Sequence, residues 1–309
     1  MARLIEIKDP PADPHYLHSD GYTPEEPRMS RGLALSVAGL SAACLLGSWT
    51  LRARDEREDR RAWATLEAQG TRNPVLFEAG VTAGLPEPAR RYFTFAIAPG
   101  TPLRMAAELE MVGEIGLGDK EQPNYQPMVA REILAPPHGF VWIPRIGSGL
   151  SRVSGSDACI GDRAWTRFWL LDTVPVARTR VSSDLVRSAR ARAVAEALWV
   201  PASLLPANGV TWEPVDSSRA RAVFRYDGES YALELTVAED GKPLSVVMQR
   251  WTNANPERIF RYQPFGATVE ETGTFEGYTI PTRIDAGNGF GTEAYFPFFR
   301  VLVTEARFR

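Results

Sequence analysis

Residues 32–51, GLALSVAGLSAACLLGSWTL, run uncharged from Arg31 to Arg52. At about 1.5 Å of rise per residue, a helix of that length covers roughly 30 Å, the thickness of a bilayer's hydrocarbon core. The pattern predicts a transmembrane helix over 31–52. A cleaved signal peptide would carry a shorter apolar region nearer the start, with a small-residue cleavage site after it. Here thirty polar residues come first and a densely charged run follows. Inside the span Gly39, Ala43 and Gly47 recur every four residues and share one helix face, a spacing of small side chains that lets a second helix pack closely.

The helical period continues past the span. Over 52–69, Arg and Glu at short spacings precede Trp63 and Leu66, and the charges read as a solvated face at headgroup level. Residues 70–74 read as a linker, and Gly84-Leu-Pro-Glu-Pro opens a short helix, since proline is tolerated in a first turn and Glu87 suits the N-terminal dipole. After Pro102 the period switches to two: Met105, Ala107, Leu109 and Met111 alternate with Ala106, Glu108, Glu110 and Val112, as in a half-buried strand. Further strands are expected over 128–134, 140–146, 151–160 and 164–171, the last two flanking a Gly161-Asp162 turn. One long helix then interrupts the strands. Ser182, Ser183 or Asp184 caps it; Leu185, Ala189, Val194, Ala197 and Leu198 give it an apolar surface; Pro201 ends it, and a short turn over 202–205 follows. From Trp212 onward the pattern is a meander, with strands over 220–226, 231–237 and 244–251 joined by Asp227-Gly228 and Asp240-Gly241, then 267–275, 278–285 and 294–308. The expected fold is mainly β (α+β): a large curved antiparallel sheet, a half-barrel, with an inserted helical hairpin, preceded by one transmembrane helix. The expected divisions are an extended N-terminal tail rich in proline (1–30), the span (31–52), a juxtamembrane helix and linker (53–83), and the curved β domain (84–309).

Composition narrows the chemistry. A net charge of −3, with Lys and Arg scattered rather than striped, lacks the electrostatic footprint of a nucleic-acid binder. Cys44 in the span and Cys159 alone in the domain offer no intrachain disulfide framework. His15 and His18 lie near Asp13 and Asp20, but in a tail where nothing fixes their geometry, and no His-Glu pair stands at zinc-binding spacing. The domain's only histidine, His138, sits in a proline loop, and Cys159 in a strand without a nearby base, so neither reads as catalytic. Gly113-Glu-Ile-Gly-Leu-Gly lacks the helix that completes a phosphate loop and reads as a turn. The expectation is a protein that is not an enzyme, with no cofactor and no metal. Arg192 and Glu196, four apart on one helix face and close to Trp199, are the leading polar candidates. In the concavity they would orient a ligand headgroup; otherwise they are a structural pair that fixes the helix on the sheet. Trp142 joins them as an aromatic that could line an apolar pocket.

Several segments, taken in order, carry a resemblance. Gly84-Leu-Pro-Glu-Pro-Ala-Arg-Arg-Tyr-Phe, Gly139-Phe-Val-Trp, Arg192-Ala-Val-Ala-Glu-Ala-Leu-Trp-Val-Pro, Leu204-Leu-Pro and Trp212-Glu-Pro-Val-Asp resemble an uncharacterised bacterial family of membrane-associated proteins. Through that family the chain resembles the half-barrel fold of the periplasmic lipoprotein carriers and lipid-binding lipoproteins. The resemblance implies a curved sheet whose concave side is closed by helices around a lipophilic ligand, and it brings no catalytic residue with it. The expected function is that of a non-enzymatic membrane-anchored protein whose half-barrel binds a lipid or other apolar ligand. The alternative is a structural, accessory subunit that stabilises a larger membrane complex through its span, tail and domain surface. The expected partners are accordingly membrane lipids and, through span and tail, a membrane-protein complex. Five arginines just after the span against two just before it point to a cytoplasmic domain, whereas the resemblance points to export. The expected location is the cell inner membrane, crossed once, with the domain periplasmic and the cytoplasmic face as the alternative.

Overall fold

The computed structural model describes residues 31–70 and 74–309; the expected tail and residues 71–73 of the expected linker lie outside the described residues, as do several side chains within 31–41. The chain divides into two units, Met1–Leu45 and Leu46–Arg309. What is described of the first is the start of helix α1 (Arg31–Glu67), which is helical through the whole uncharged run and beyond it. Gly39, Ala43 and Gly47 are exposed on this helix, and a Cβ on either glycine would meet nothing within 4 Å. Leu40, Leu45, Leu46 and Trp49 are exposed as well. Among the described residues, no helix is long and apolar enough to cross a membrane, so the transmembrane helix expected over 31–52 is not borne out among them.

Two antiparallel meanders form the second unit. The first comprises β1 (Ala107–Gly116), β2 (Tyr125–Ala135), β3 (Gly139–Ile146), β4 (Val153–Ile160), β5 (Arg163–Leu170) and β6 (Val174–Arg178). The second comprises β7 (Thr211–Pro214), β8 (Arg219–Tyr226), β9 (Glu229–Val237), β10 (Pro243–Thr252), β11 (Arg261–Phe275), β12 (Tyr278–Asn288) and β13 (Phe296–Phe308). Pairing of β1 with β13 fuses them into one 13-stranded sheet, with β6 and β7 as its edges. The chain crosses from one edge to the other through helix α3 (Ser183–Ala195) and three short 3-10 turns that end at Asn208. This crossover reveals the curvature. Helix α3 touches β3, β4 and β5 of one meander and β9 and β10 of the other, which a single helix does only if the sheet curls around it.

Local chemistry explains most of these elements. Asp227 and Gly228 take φ of 52° and 75°, the left-handed pair that a tight two-residue hairpin needs. Ser182 caps α3 by accepting the Leu185 N–H at 3.1 Å. Helix α2 (Glu87–Ala96) starts on a proline and buries Ala89, Tyr92, Phe93 and Ala96 on one face. Tyr92, Phe93 and Ala96 of that face join the principal core on the concave side of the sheet, together with Phe140, Phe224 and Tyr278. A second core lies on the convex side, where Ala62 and Leu66 of α1 cover Ile133, Val141, Ala158 and Trp165.

Four expectations need correction. The charged part of α1 is not a solvated face, because Asp59 and Asp55 are buried about one and two turns before Ala62 and continue its inward stripe. Asp55 takes two hydrogen bonds from Arg178, at 2.5 and 2.9 Å, and one from the Trp169 indole at 3.3 Å. Asp59 receives the Ser156 hydroxyl at 2.9 Å and the Trp165 indole at 3.0 Å, while burial still pushes its carboxyl above the usual range. The inserted element is not a helical hairpin: after Ala195 only 3-10 turns follow, because Pro201 and Pro206 prevent a second helix. The Gly113 segment is strand, not turn, as far as Gly116; Gly113 is required there because a Cβ would run into the Arg300 carbonyl oxygen across the β1–β13 pair. Strand β6 was not anticipated, its short Val-Pro-Val run being too brief to show a period.

Candidate functional site

The parity of each strand decides what enters the concavity. Met128, Glu132 and Leu134 of β2 share one parity, as do Phe140 and Trp142 of β3, Asp157 and Cys159 of β4, and Val246, Met248 and Arg250 of β10. Helix α3 adds Arg192, with Glu196 following at its C-cap. Between this helix and β10–β13 lies a cavity of about 250 Å³. Its wall is largely apolar, formed by Trp199, Val246, Phe265, Ala267, Ile284 and Phe299 among others, and Arg192, Glu196, Asp157 and Arg250 supply a polar end.

All four residues singled out from the sequence, Arg192, Glu196, Trp199 and Trp142, line this cavity. Arg192 is its electrostatic centre. Its Nε donates to Glu196 at 2.8 Å, one Nη to Asp157 at 2.6 Å and the other to Glu132 at 3.3 Å. The guanidinium also lies over the Phe140 ring at 4.2 Å and the Trp142 ring at 5.1 Å. Burial alone would lower its pKa, but Glu196, Glu132 and Asp157 together raise it above the ordinary arginine value. The Trp199 indole donates to the Pro281 carbonyl at 2.9 Å and so is satisfied. The Trp142 indole N–H is buried without an acceptor.

Three residues of this cluster escaped the sequence reading: Glu132, Asp157 and Arg250. Each looks like one polar position in an alternating strand. The available signal was parity, since Glu132 falls in step with Met128 and Leu134, and Arg250 with Val246 and Met248. Glu132 is fully buried, and burial, reinforced by the neighbouring Glu196 carboxylate, holds its carboxyl well above the usual range. Folding therefore favours the protonated form of this carboxyl more than the unfolded chain does.

This state makes a prediction for Glu132→Gln. The folded protein keeps a proton that the unfolded chain releases above about pH 4.5, the ordinary value for this group. The carboxyl's contribution to stability is thus complete below that pH and is lost as pH rises through the raised folded value. Glutamine reproduces the neutral acid's shape and donor without a proton to lose. Glu132→Gln is expected to raise the thermal midpoint at pH 7–8 and to flatten its decline above pH 4.5, with little change at pH 4. An unchanged pH profile of the midpoint would show that the carboxyl is ionised in the fold.

The residues considered for catalysis lie elsewhere. His138 is half-buried, edge-on to Tyr226 with ring centroids 5.3 Å apart, and burial lowers its pKa. Cys159 is buried in the principal core, its thiol pushed up to about 12 by burial. Among the described residues, no group of three or more His, Cys, Asp or Glu side chains could hold a metal ion.

Sheet and cavity together define the class: an open antiparallel half-barrel, plugged on its concave side by helices around an apolar hollow with a charged end. The chain belongs to the family of unknown function DUF6544, which it matches over residues 75–301. This agrees with the resemblance to an uncharacterised family carried by the segments from Gly84 onward. Among solved structures, it is similar to a domain described as that of an outer membrane lipoprotein-sorting protein from Vibrio parahaemolyticus. That similarity has 8% identity and a TM-score of 0.31, and covers 75% of this chain and 92% of the other. A likeness at that level carries no functional argument. No functionally curated protein matches the chain.

Proposed function

We propose that this chain is a non-enzymatic, membrane-anchored binding protein whose half-barrel holds a lipid or another apolar molecule. The observation that carries the reading is the cavity itself, about 250 Å³ of largely apolar wall with a few convergent polar groups at one end. Protein interiors are close-packed, and an apolar cavity of about 150 Å³ is already large enough to accept benzene. The volume lies just under the roughly 300–1,000 Å³ of drug-sized ligand pockets. It suits one hydrocarbon chain or one ring system rather than a whole two-chain lipid. The anchor in this reading is the uncharged run 32–51, helical within α1, and the domain sits on the periplasmic side of the inner membrane.

The test is to purify the full chain from membranes in mild detergent and identify bound small molecules by native mass spectrometry. A lipophilic species bound at about one per chain is expected. Ala267→Trp, which fills the cavity from β11, is expected to abolish it while leaving the far-ultraviolet circular dichroism unchanged. A chain that emerges empty and binds no lipophilic probe would end the proposal.

A second reading, an accessory subunit of a larger membrane complex, is supported by the exposed stripe of Gly39, Ala43 and Gly47 beside Leu40 and Trp49 on α1. The same purification separates the two. An accessory subunit would come out with a stoichiometric protein partner and an unoccupied cavity.

A further inference from the structure

Residues 52–61, RARDEREDRR, interleave five arginines with four acids, and helix α1 sorts them onto different faces. Every one of these acids is matched. Asp55 holds Arg178 and the Trp169 indole, and Asp59 takes the Ser156 hydroxyl and the Trp165 indole. Glu56 pairs with Arg52 at 3.0 Å and Arg60 at 3.8 Å, and Glu58 pairs with Arg163 and, at 2.6 Å, with Arg167. Arg54, Arg57 and Arg61 are left over. None of the three has an ion pair or a side-chain hydrogen bond to another side chain among the described residues. Spacings of three and four put them on one face of the helix, where like charges repel.

That face borders a groove. Between α1 and the β4–β5 hairpin, on the convex side of the sheet and apart from the cavity, lies a depression of about 440 Å³ walled by Arg54, Arg57 and Arg61 and, from the hairpin, by Arg163. Ile160 and Trp165 also line it, and the carboxylate on its wall, Glu58, is the one already shared by Arg163 and Arg167. The wall thus carries positive charge without a counterion and guanidinium donors without acceptors. An anion supplies both. A phosphate has oxygens on several sides and can take paired hydrogen bonds from more than one guanidinium at once, a geometry that suits arginines arrayed along a curved wall.

The place of the groove along α1 indicates where such a phosphate comes from. At about 1.5 Å of rise per residue, Arg54 and Arg57 stand about 5 and 9 Å past Leu51, where the uncharged run ends. The headgroup layer outside a bilayer's hydrocarbon core is roughly 5–8 Å deep. We propose that the arginine groove beside α1 binds the phosphate of an anionic phospholipid headgroup, a lipid contact separate from the cavity. Its lipid source rests on the reading of 32–51 as the anchor; the contents of the cavity play no part in it.

The full chain in dodecyl maltoside is mixed with equal amounts of phosphatidylglycerol and phosphatidylcholine, and bound lipid is read by native mass spectrometry. Both lipids carry the phosphate, but only the first has a net negative charge. Phosphatidylglycerol is expected to be retained over phosphatidylcholine by at least about tenfold, and inorganic phosphate at the same concentration is expected not to displace it. Changing Arg54→Gln, Arg57→Gln and Arg61→Gln together is expected to abolish the preference. The thermal midpoint of this variant is expected not to fall, since three repelling charges are gone, which keeps lost binding distinct from lost folding. The control loses the same charge elsewhere, through Arg180→Gln, Arg225→Gln and Arg258→Gln, exposed arginines that also lack ion pairs among the described residues. It is expected to keep the preference. A preference that survives the first triple change, or that falls equally in the control, overturns the site. Displacement by inorganic phosphate at equal concentration overturns the lipid as its occupant. Recovery of the full chain from the soluble fraction of cells would defeat the anchor reading, and the lipid source with it, whereas an empty cavity would leave the groove untouched.

Discussion

Arg192→Leu is expected to destabilise the fold by about 3–5 kcal/mol, read as a fall in the urea midpoint with the slope unchanged. The magnitude follows from what is left behind. Leucine fills much of the space under Phe140 and Trp142, but Glu196, Asp157 and Glu132 all lose the guanidinium that reaches them. Removing one member of a buried ionic cluster strands the others, which costs far more than the cluster contributes as a whole. The carboxylates have one escape, protonation, so the loss is expected to be smaller at pH 5 than at pH 8. An effect below about 1 kcal/mol that does not vary with pH would mean that the cluster is solvated. It would also contradict the 12% exposure of the Arg192 side chain and the burial of Glu132.

Asp55→Ala is expected to have an effect of the same order on the opposite face of the sheet. Asp55 is 5% exposed and satisfies both Arg178 nitrogens, while Arg167 approaches it at 3.6 Å. Without the carboxylate two guanidiniums are left facing α1. Arg167 has a second partner in Glu58 at 2.6 Å; Arg178 has none among the described residues. A destabilisation of about 3–5 kcal/mol is expected, together with faster tryptic cleavage in α1, because this contact helps hold the helix against β5 and β6. Glu56→Ala is the control on the same helix. Its pair with Arg52 is exposed and four residues apart, and its loss is expected to cost at most about 0.5 kcal/mol. If the two variants behaved alike, α1 would not be docked.

Much of this architecture was legible from period alone. Met105 to Val112, the Asp227-Gly228 turn and the cap at Ser182 all announce themselves within a few residues, because strand, hairpin and cap are local decisions. Arg192 and Glu196 stood out because four-residue spacing puts them on one face, whereas Trp142 and Trp199 were two aromatics among many that period alone does not sort into core and cavity wall. Glu132, Asp157 and Arg250 did not stand out, because what makes them a cluster is the curling of the sheet. That curl brings Glu132 of β2, Asp157 of β4 and Arg250 of β10 to the same helix, and no single segment encodes it. Asp55 and Asp59 failed to register for another reason. Their spacing from Ala62 and Leu66 is that of an inward stripe, but aspartate is ordinarily a surface residue, and the arginines and tryptophans that receive it lie about a hundred residues away on β5 and β6.

The two ends of the long sheet have a consequence for how copies of this protein meet. An open sheet presents rows of unpaired amides and carbonyls at its margins, where foreign strands can add on and begin a fibril. Here each margin is brief, five residues at β6 and four at β7, and each contains a proline, Pro175 and Pro214, that offers no amide hydrogen. Thirteen strands can thus remain unclosed without inviting polymerisation, and the hollow stays open without the sealed wall of a complete barrel.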